Sequence, residues 1–463
     1  MILSIKTICE HAMFGDLRLT TRFGKILKTL SIQIKHSIPL TFKEWPDIKG
    51  AYRFLNNKKV TDRAILESQT SALNVEACST YLALHDTTEA DLTGNRGSDN
   101  LGCLTYKERK GFFIHNTLLT DNQGTPQCVF HQHFWNRKPE SLSKNTSRKL
   151  RPIEQKESFR WIESVEKVNN YFKAHPQSKV INICDREADI YELLALDYPS
   201  NCHFIIRSSS NRRTQEEEKI WDRVQSQKVL FSYEIEVSDK QTFKKRKARL
   251  EVKWLPNIEL LPVYRKENKL GSTTVNIISV QERNAPKGIS PIDWKLLTSL
   301  PLELESELYQ AILYYSFRWR IETFHYILKQ GCKIEDLQLQ EEQGLKNAIS
   351  LYSILSCRIL SMMFLSRQAP ETPLKQIGVS KEEYLFLITY LKENYSFKFK
   401  TNMKEQTVGN FSELIGMLGG HLKHNSKYPG IKIIWRGLME FNTLFKCYRI
   451  FKRKDVGNHE SFS

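Results

Sequence analysis

The chain has 463 residues, 40% of them apolar and 26% charged, which excludes a largely disordered polymer and implies roughly two to four compact units. Lys and Arg number 69 against 52 Asp and Glu, a net charge of +17, so a polyanionic partner is to be expected, nucleic acid first. The nine cysteines include no CxxC pair; this excludes a zinc ribbon and a paired disulfide framework and points to a reducing compartment, the cytoplasm.

No run approaches the ~18 apolar residues of a membrane helix, and the N-terminus meets Glu10 too early for a signal peptide. No membrane partner is expected. Residues 1–70 read as a small basic helical unit. Leu19, Phe23, Ile26, Leu27 and Leu30 recur at helical spacing, with Arg18, Arg22, Lys25 and Lys28 mostly on the other side. From residue 78 the texture changes. TYLALHD (80–86), GFFIHNTLLT (111–120) and PQCVFHQHFW (126–135) read as strands, and 151–174 as a helix with Ile153, Phe159, Ile162, Val165 and Val168 as its apolar positions. KVINICD (179–185) is a short buried strand, READIYELLAL (186–196) a helix and HFIIRSSS (203–210) a strand. The order predicts a mixed α/β sheet whose first three strands form a meander.

Residues 211–292 alternate in short stretches and read as a β-rich insertion, after which WKLLTSLPL (294–302) returns to strand character. Two basic stretches, 144–151 and 240–249, are compatible with phosphate contacts or with solvated turns. Residues 303–366 read as helical, Pro370 and Pro373 break the pattern, and 374–463 is helical with a basic end.

The chemistry concentrates at three carboxylates. Asp86 and Asp185 each close a short apolar strand, where a carboxylate costs solvation unless something compensates it. Helix capping at Asp185 and a turn at Asp86 are the plainer alternatives. The third element is YYSFRWRIETFHYILKQG (314–331). Read as one helix at ~100° per residue with Arg318 at zero, it places Glu322 at about 40°, Lys329 at about 20° and Tyr315 at about 60°. One carboxylate, two cations and a phenol then share a narrow face, where a simple exposed Arg–Glu pair would explain only two of the four.

Tyr315, Arg318, Glu322 and Lys329, at that spacing, resemble the Y-R-E-K signature of the DDE transposases of the insertion-sequence-four group, and look most like the transposon-five type. FGDLRLTTR (14–22), KGAYRFLNN (49–57), HDTT (85–88), CDREADIYELL (184–194), WKLLTSLPLE (294–303) and MLGGH (417–421) are similar to that family's blocks in the same order. The resemblance implies an α/β fold: an RNase H-like catalytic core over 71–370 with the β-rich insertion, an N-terminal helical DNA-binding domain over 1–70 and a C-terminal helical dimerisation domain over 371–463. It makes Asp86, Asp185 and Glu322 the catalytic, metal-binding triad for Mg²⁺, with Mn²⁺ as a substitute. Tyr315, Arg318 and Lys329 would hold DNA phosphates. Trp294 would stack on a flipped nucleotide when the cut end closes into a hairpin, with a core tryptophan as the alternative. Arg207 and Arg212 match basic DNA-contacting positions. His85 and His325 flank the site as orienting or packing residues.

The implied function is cut-and-paste transposition by a homodimer acting on terminal inverted repeats and target DNA, at the bacterial nucleoid. The alternative is a catalytically inactive, DNA-binding, dimerising relative or an inhibitor. The intact acidic set argues against decay, and no methionine lies between Met13 and Met362 to start a shorter form. A nuclease acting on branched DNA is the third reading, and strand transfer separates it from the first.

Overall fold

The computed structural model describes residues 3–32, 38–42, 44–141, 151–238, 245–261, 270–395, 405–422 and 428–459. The basic stretch 144–150 and the first half of 240–249 lie outside them. The chain divides into two units. One comprises Met1–Asn74, Thr87–Lys144 and Ile321–Ser463, and the other Val75–Asp86 and Asn145–Arg320.

In the second unit the sheet begins with the Thr80–Asp86 part of β1 (Thr80–Asp91). It continues through β4 (Lys179–Cys184), β5 (Cys202–Arg207), β9 (Asp293–Thr298), β8 (Thr273–Arg283), β7 (Lys245–Leu260) and β6 (Phe231–Ser238). β1, β4 and β5 are parallel, and every later pairing is antiparallel. Because β9 bonds both β5 and β8, the β-rich stretch extends the same sheet instead of standing apart from it. Helix α6 (Phe159–Lys173) buries Trp161, Ile162, Val165, Val168 and Phe172, spaced one helical face apart. Trp161 and Val165 join Phe204, Ile206, Ile277 and Leu297 in one apolar core. Each such side chain contributes about 1.5–3 kcal/mol by leaving water. The predicted helix 186–196 is shorter than expected: a 3₁₀ turn at Arg186–Ala188 and a single α-turn, α7 (Tyr191–Leu194). A helix α8 (Ile220–Ser226) and, before the unit ends, α9 (Glu305–Ser316) complete it.

The first unit starts with α1 (Ile5–Glu10), α2 (Leu17–Ile32), α3 (Ile38–Phe42), α4 (Trp45–Leu55) and α5 (Asp62–Thr70). Phe23, Ile26, Leu27 and Leu30 are the buried face of α2, as their spacing predicts. The hairpin of β2 (Gly111–Asp121) and β3 (Pro126–Trp135) follows the outer half of β1 in the order β3-β2-β1, so the predicted meander is present. Then come α10 (Trp319–Tyr326), which enters this unit at Ile321, α11 (Glu342–Gln368), α12 (Lys381–Asn394), α13 (Val408–Leu418) and α14 (Ile431–His459). α11 is long and apolar enough to cross a membrane by composition, which corrects the sequence reading; 83% of its apolar window is buried inside the protein. It is the central helix of this unit, bonded to β3 through Gln132, which donates to Ser353 Oγ at 2.9 Å and accepts from Ser350 Oγ at 2.9 Å. α13 and α14 cross with their backbones touching: a Cβ on Gly437 would collide with the Ile415 carbonyl, and one on Gly419 with the Ile433 carbonyl.

Candidate active site

Parallel pairing sets the first two carboxylates side by side. The β1–β4 register runs from Thr80↔Lys179 to Leu84↔Ile183. Asp86 and Asp185 each lie two residues beyond the last pair, at one level of neighbouring strands. This is the carboxyl end of the parallel strands, where open α/β sheets place their ligand sites. β1 does not stop there, which corrects the expectation that Asp86 ends its strand: the strand continues to Asp91, and at Asp86 its pattern changes from fully to partly buried. Asp185 does directly follow the end of β4. Its Oδ1 accepts from Glu187 N at 2.9 Å and caps the 3₁₀ turn.

Four further predicted residues gather in the same unit. Arg318 Nη1 stands 3.5 Å from Asp86 Oδ2, with both side chains largely buried. Tyr315 is buried, and its ring meets Trp294 edge-on at 5.2 Å between centroids and 70° between planes. Burial pushes the Tyr315 phenol up; the Arg318 and Arg207 guanidinium groups pull it down, and the Asp185 carboxylate adds to the rise. Arg207 donates Nη2 to the Asp293 carbonyl at 2.8 Å. Burial holds its guanidinium below the ordinary value, with Tyr315 opposing and the like charges of Arg186 and Arg318 reinforcing. Arg186 is thus a member of this cluster that sequence reasoning did not single out, although it stands next to Asp185.

Arg212 is engaged elsewhere. It donates to Asp189 Oδ1 from Nη2 at 2.6 Å and from Nε at 3.1 Å, and to the Asp189 carbonyl at 2.7 Å. The other Asp189 oxygen accepts from Ser209 N at 2.7 Å and Ser210 N at 2.8 Å. The Asp189 side chain is fully buried, so this arginine serves the loop after β5.

The segment 314–331 is not one helix. α9 ends at Ser316; Phe317 N and Arg318 N bond three residues back, to the Tyr314 and Tyr315 carbonyls, and α10 starts at Trp319. A π turn, Ile327–Gly331, then follows, with Cys332 N donating to the Ile327 carbonyl at 2.8 Å. A count at ~100° per residue fails across a tightened turn and a widened one. The four residues therefore occupy four local settings: Tyr315 in α9, Arg318 in the linking turn, Glu322 in the first turn of α10 and Lys329 in the π turn.

In the first unit, Glu322 rides on a helix that a buried polar chain holds in place. His325, three residues on, bonds Asn116 of β2 at 2.9 Å through Nε2; Asn116 Oδ1 accepts from Gln132 Nε2 at 2.7 Å, and Gln132 leads to α11. Lys329 pairs with Glu335 at 3.0 Å. The same glutamate oxygen accepts from Asp91 N at 3.0 Å.

His85, one residue before Asp86, is fully buried and bonds Asn182 Oδ1 at 3.0 Å; Asn182 Nδ2 in turn donates to Asn169 Oδ1 at 3.0 Å. This chain ties β1 to β4 and α6 directly below the paired aspartates. Burial lowers the His85 imidazole to about 4, the Asn182 bond opposing. The folded protein therefore keeps it neutral where the unfolded chain, near its ordinary 6.5, takes up a proton. Above pH 6.5 the group costs nothing. As pH falls from about 6.5 to about 4, stability is lost, up to about 3 kcal/mol from this group. We expect the melting temperature to drop across that window and the drop to be shallower in His85→Asn. Equal pH slopes for the two proteins would remove His85 from the account.

Asp86 and Asp185 would offer carboxylate oxygens, the donor type that a hard divalent cation of the Mg²⁺ class takes. Among the described residues no group of three or more His, Cys, Asp or Glu side chains stands close enough to hold a metal.

Residues 5–60 match the family model described as transposase DNA-binding, and residues 183–358 the model described as transposase DDE domain. The second match spans both Asp185 and Glu322. Among solved structures, a chain of the cryo-EM structure of a piggyBac transposase synaptic complex with hairpin DNA is similar at 11% identity and a TM-score of 0.40, over 84% of this chain and 74% of that one. The mixed α/β sheet with its helices and the N-terminal helical region are consistent with an RNase H-like core.

Proposed function

Starting from the DDE-type DNA transposase that the two family matches indicate, we propose that this protein excises an element at its terminal inverted repeats and joins the freed 3′-hydroxyl ends to target DNA, in the manner of the insertion-sequence-four group. The observation that carries the reading is the placement of Asp86 and Asp185 at one level of adjacent parallel strands. Asp86 and Asp185 would hold Mg²⁺, for which Mn²⁺ substitutes. Glu322 is the third acid, on the strength of its spacing and of the domain match it shares with Asp185. The metal, when bound, supplies activation of an attacking oxygen and stabilisation of the leaving one in phosphodiester cleavage and transfer.

The chain's own groups bind and orient. Arg318 neutralises Asp86, and its planar guanidinium suits two oxygens of a phosphate at once. Trp294, backed edge-on by the buried Tyr315, would offer the face on which a displaced base stacks. Arg207 adds a cation at the end of β5 and Lys329 one beyond α10. Residues 1–70 would recognise the ends, and residues 371–463 would pair two protomers. The work is done in the cytoplasm, at the nucleoid.

The test supplies a duplex carrying the element's inverted repeat, a supercoiled target and Mg²⁺. Nicked, hairpin and target-joined products are expected, all lost when EDTA replaces the metal. Cleavage without joined product would replace this reading with a nuclease, and cleavage that persists in EDTA would remove the metal from it.

A further inference from the structure

We propose that the start of α14 carries a second phosphate-binding site, a cavity of ≈ 310 Å³ formed with the end of α10 and its π turn. The inference rests on the DNA transposase reading and extends the DNA path to Lys432 and Arg436, which lie beyond both family matches, since those end at residues 60 and 358. Lys432 and Arg436, one helical turn apart on α14, face Tyr326 and Gln330 across it. Both cations are exposed. Among the described residues neither forms an ion pair, whereas Lys329 beside them is matched by Glu335 at 3.0 Å. Lys432 Nζ lies 5.7 Å from the Tyr326 ring centre, a cation–π arrangement that leaves its ammonium hydrogens for another partner.

The scaffold around the cations is closely packed. Gly331 lets the π turn close on Trp435: a Cβ there would meet the indole ring at 3.2 Å. The close glycine crossing of α13 with α14 fixes the helix from its other side. Two uncompensated cations, an aromatic ring and a side-chain amide around a concave space match the backbone of a nucleic acid: phosphates for Lys432 and Arg436, sugar or base for Tyr326, a hydrogen-bonding edge for Gln330. Tyr326 is one turn beyond Glu322 on α10, so DNA held here is held beside the helix that carries the third acid. The phosphates come either from the element end or from the target.

The variants are Lys432→Ala/Arg436→Ala and, as the charge-keeping control, Lys432→Arg/Arg436→Lys. Binding of the inverted-repeat duplex is titrated against salt in EDTA, where no chemistry intrudes. Joining of pre-cut ends to a target is followed separately with Mg²⁺. If the phosphates belong to the element end, the alanine pair binds that duplex at least about tenfold more weakly, and the magnitude of its log–log salt slope falls by about 0.9 for each phosphate no longer neutralised. If they belong to the target, end binding stays at the wild-type level and joining falls at least about tenfold. In either case the control pair retains most of the function. Wild-type behaviour of the alanine pair in both arms overturns the site, and so does a control pair as defective as the alanine pair, which would mean that the fold and not the charge was disturbed. A wild-type protein that cuts no DNA would defeat the transposase reading, while the binding arm would still report on this cavity.

Discussion

Asp185→Asn is expected to lower DNA cleavage at least about 10³-fold while leaving binding of the inverted-repeat duplex within about twofold of wild type. Losing a carboxylate that holds a catalytic metal forfeits several kcal/mol of transition-state stabilisation, and each ~1.4 kcal/mol is a factor of ten. Asparagine is the informative replacement because the Asp185 side chain has two tasks. Its Oδ1 caps the turn at Arg186–Ala188 by accepting from Glu187 N, and an asparagine oxygen does this nearly as well. What it cannot do is supply a negative charge. The capping role, a sufficient explanation from sequence alone, is real in the structure; the variant keeps it and removes the other. Loss of activity with an unchanged melting curve would separate the two roles, and wild-type cleavage would leave Asp185 as a cap only.

The second large effect is on stability. Asp189→Ala is expected to cost about 3–5 kcal/mol, because it strands the Arg212 guanidinium, itself only 10% exposed, without its partner. It also leaves Ser209 N and Ser210 N without the oxygen they share. For a unit of this size the melting temperature should fall on the order of 10 °C. Combining the change with Arg212→Met, which withdraws the stranded charge, should recover part of the loss. A melting point for Asp189→Ala within about 2 °C of wild type, measured by circular dichroism, would contradict the buried pair. The loop it holds begins directly after Arg207 and joins β5 to the β-rich stretch, so end binding should weaken along with stability.

Much of this was legible in the chain. Short-period apolar runs located β1 to β5, and the spacing of Phe159, Ile162, Val165 and Val168 located α6. The neighbourhood of Asp86 and Asp185 follows from two strands that each end an apolar run in the same chemistry, but their shared level comes from parallel register, which no local pattern carries. The segment 314–331 misled because Phe317 and Arg318 are neither glycine nor proline. The tightened turn between α9 and α10 and the π turn after Tyr326 change the number of residues per turn, and an even angular count passes over both. The two buried polar chains, His85–Asn182–Asn169 and His325–Asn116–Gln132, were invisible for another reason: their members lie far apart in sequence, and a histidine in an apolar run gives no sign of its partner. Arg212 shows the converse, since a cation in a basic region reads as a phosphate ligand until a buried aspartate is found beneath it. α11 passes a membrane test by composition because a central core helix is apolar all round.

Whether Asp86, Asp185 and Glu322 act together as the catalytic acids is tested most directly by single-turnover cleavage of an end-labelled inverted-repeat duplex with Mg²⁺, resolved on a denaturing gel for wild type and Glu322→Gln. Nicks and hairpins at the element boundary are expected for wild type and none for the variant, with both proteins binding the duplex equally. Cleavage by Glu322→Gln at the wild-type rate would contradict that joint role.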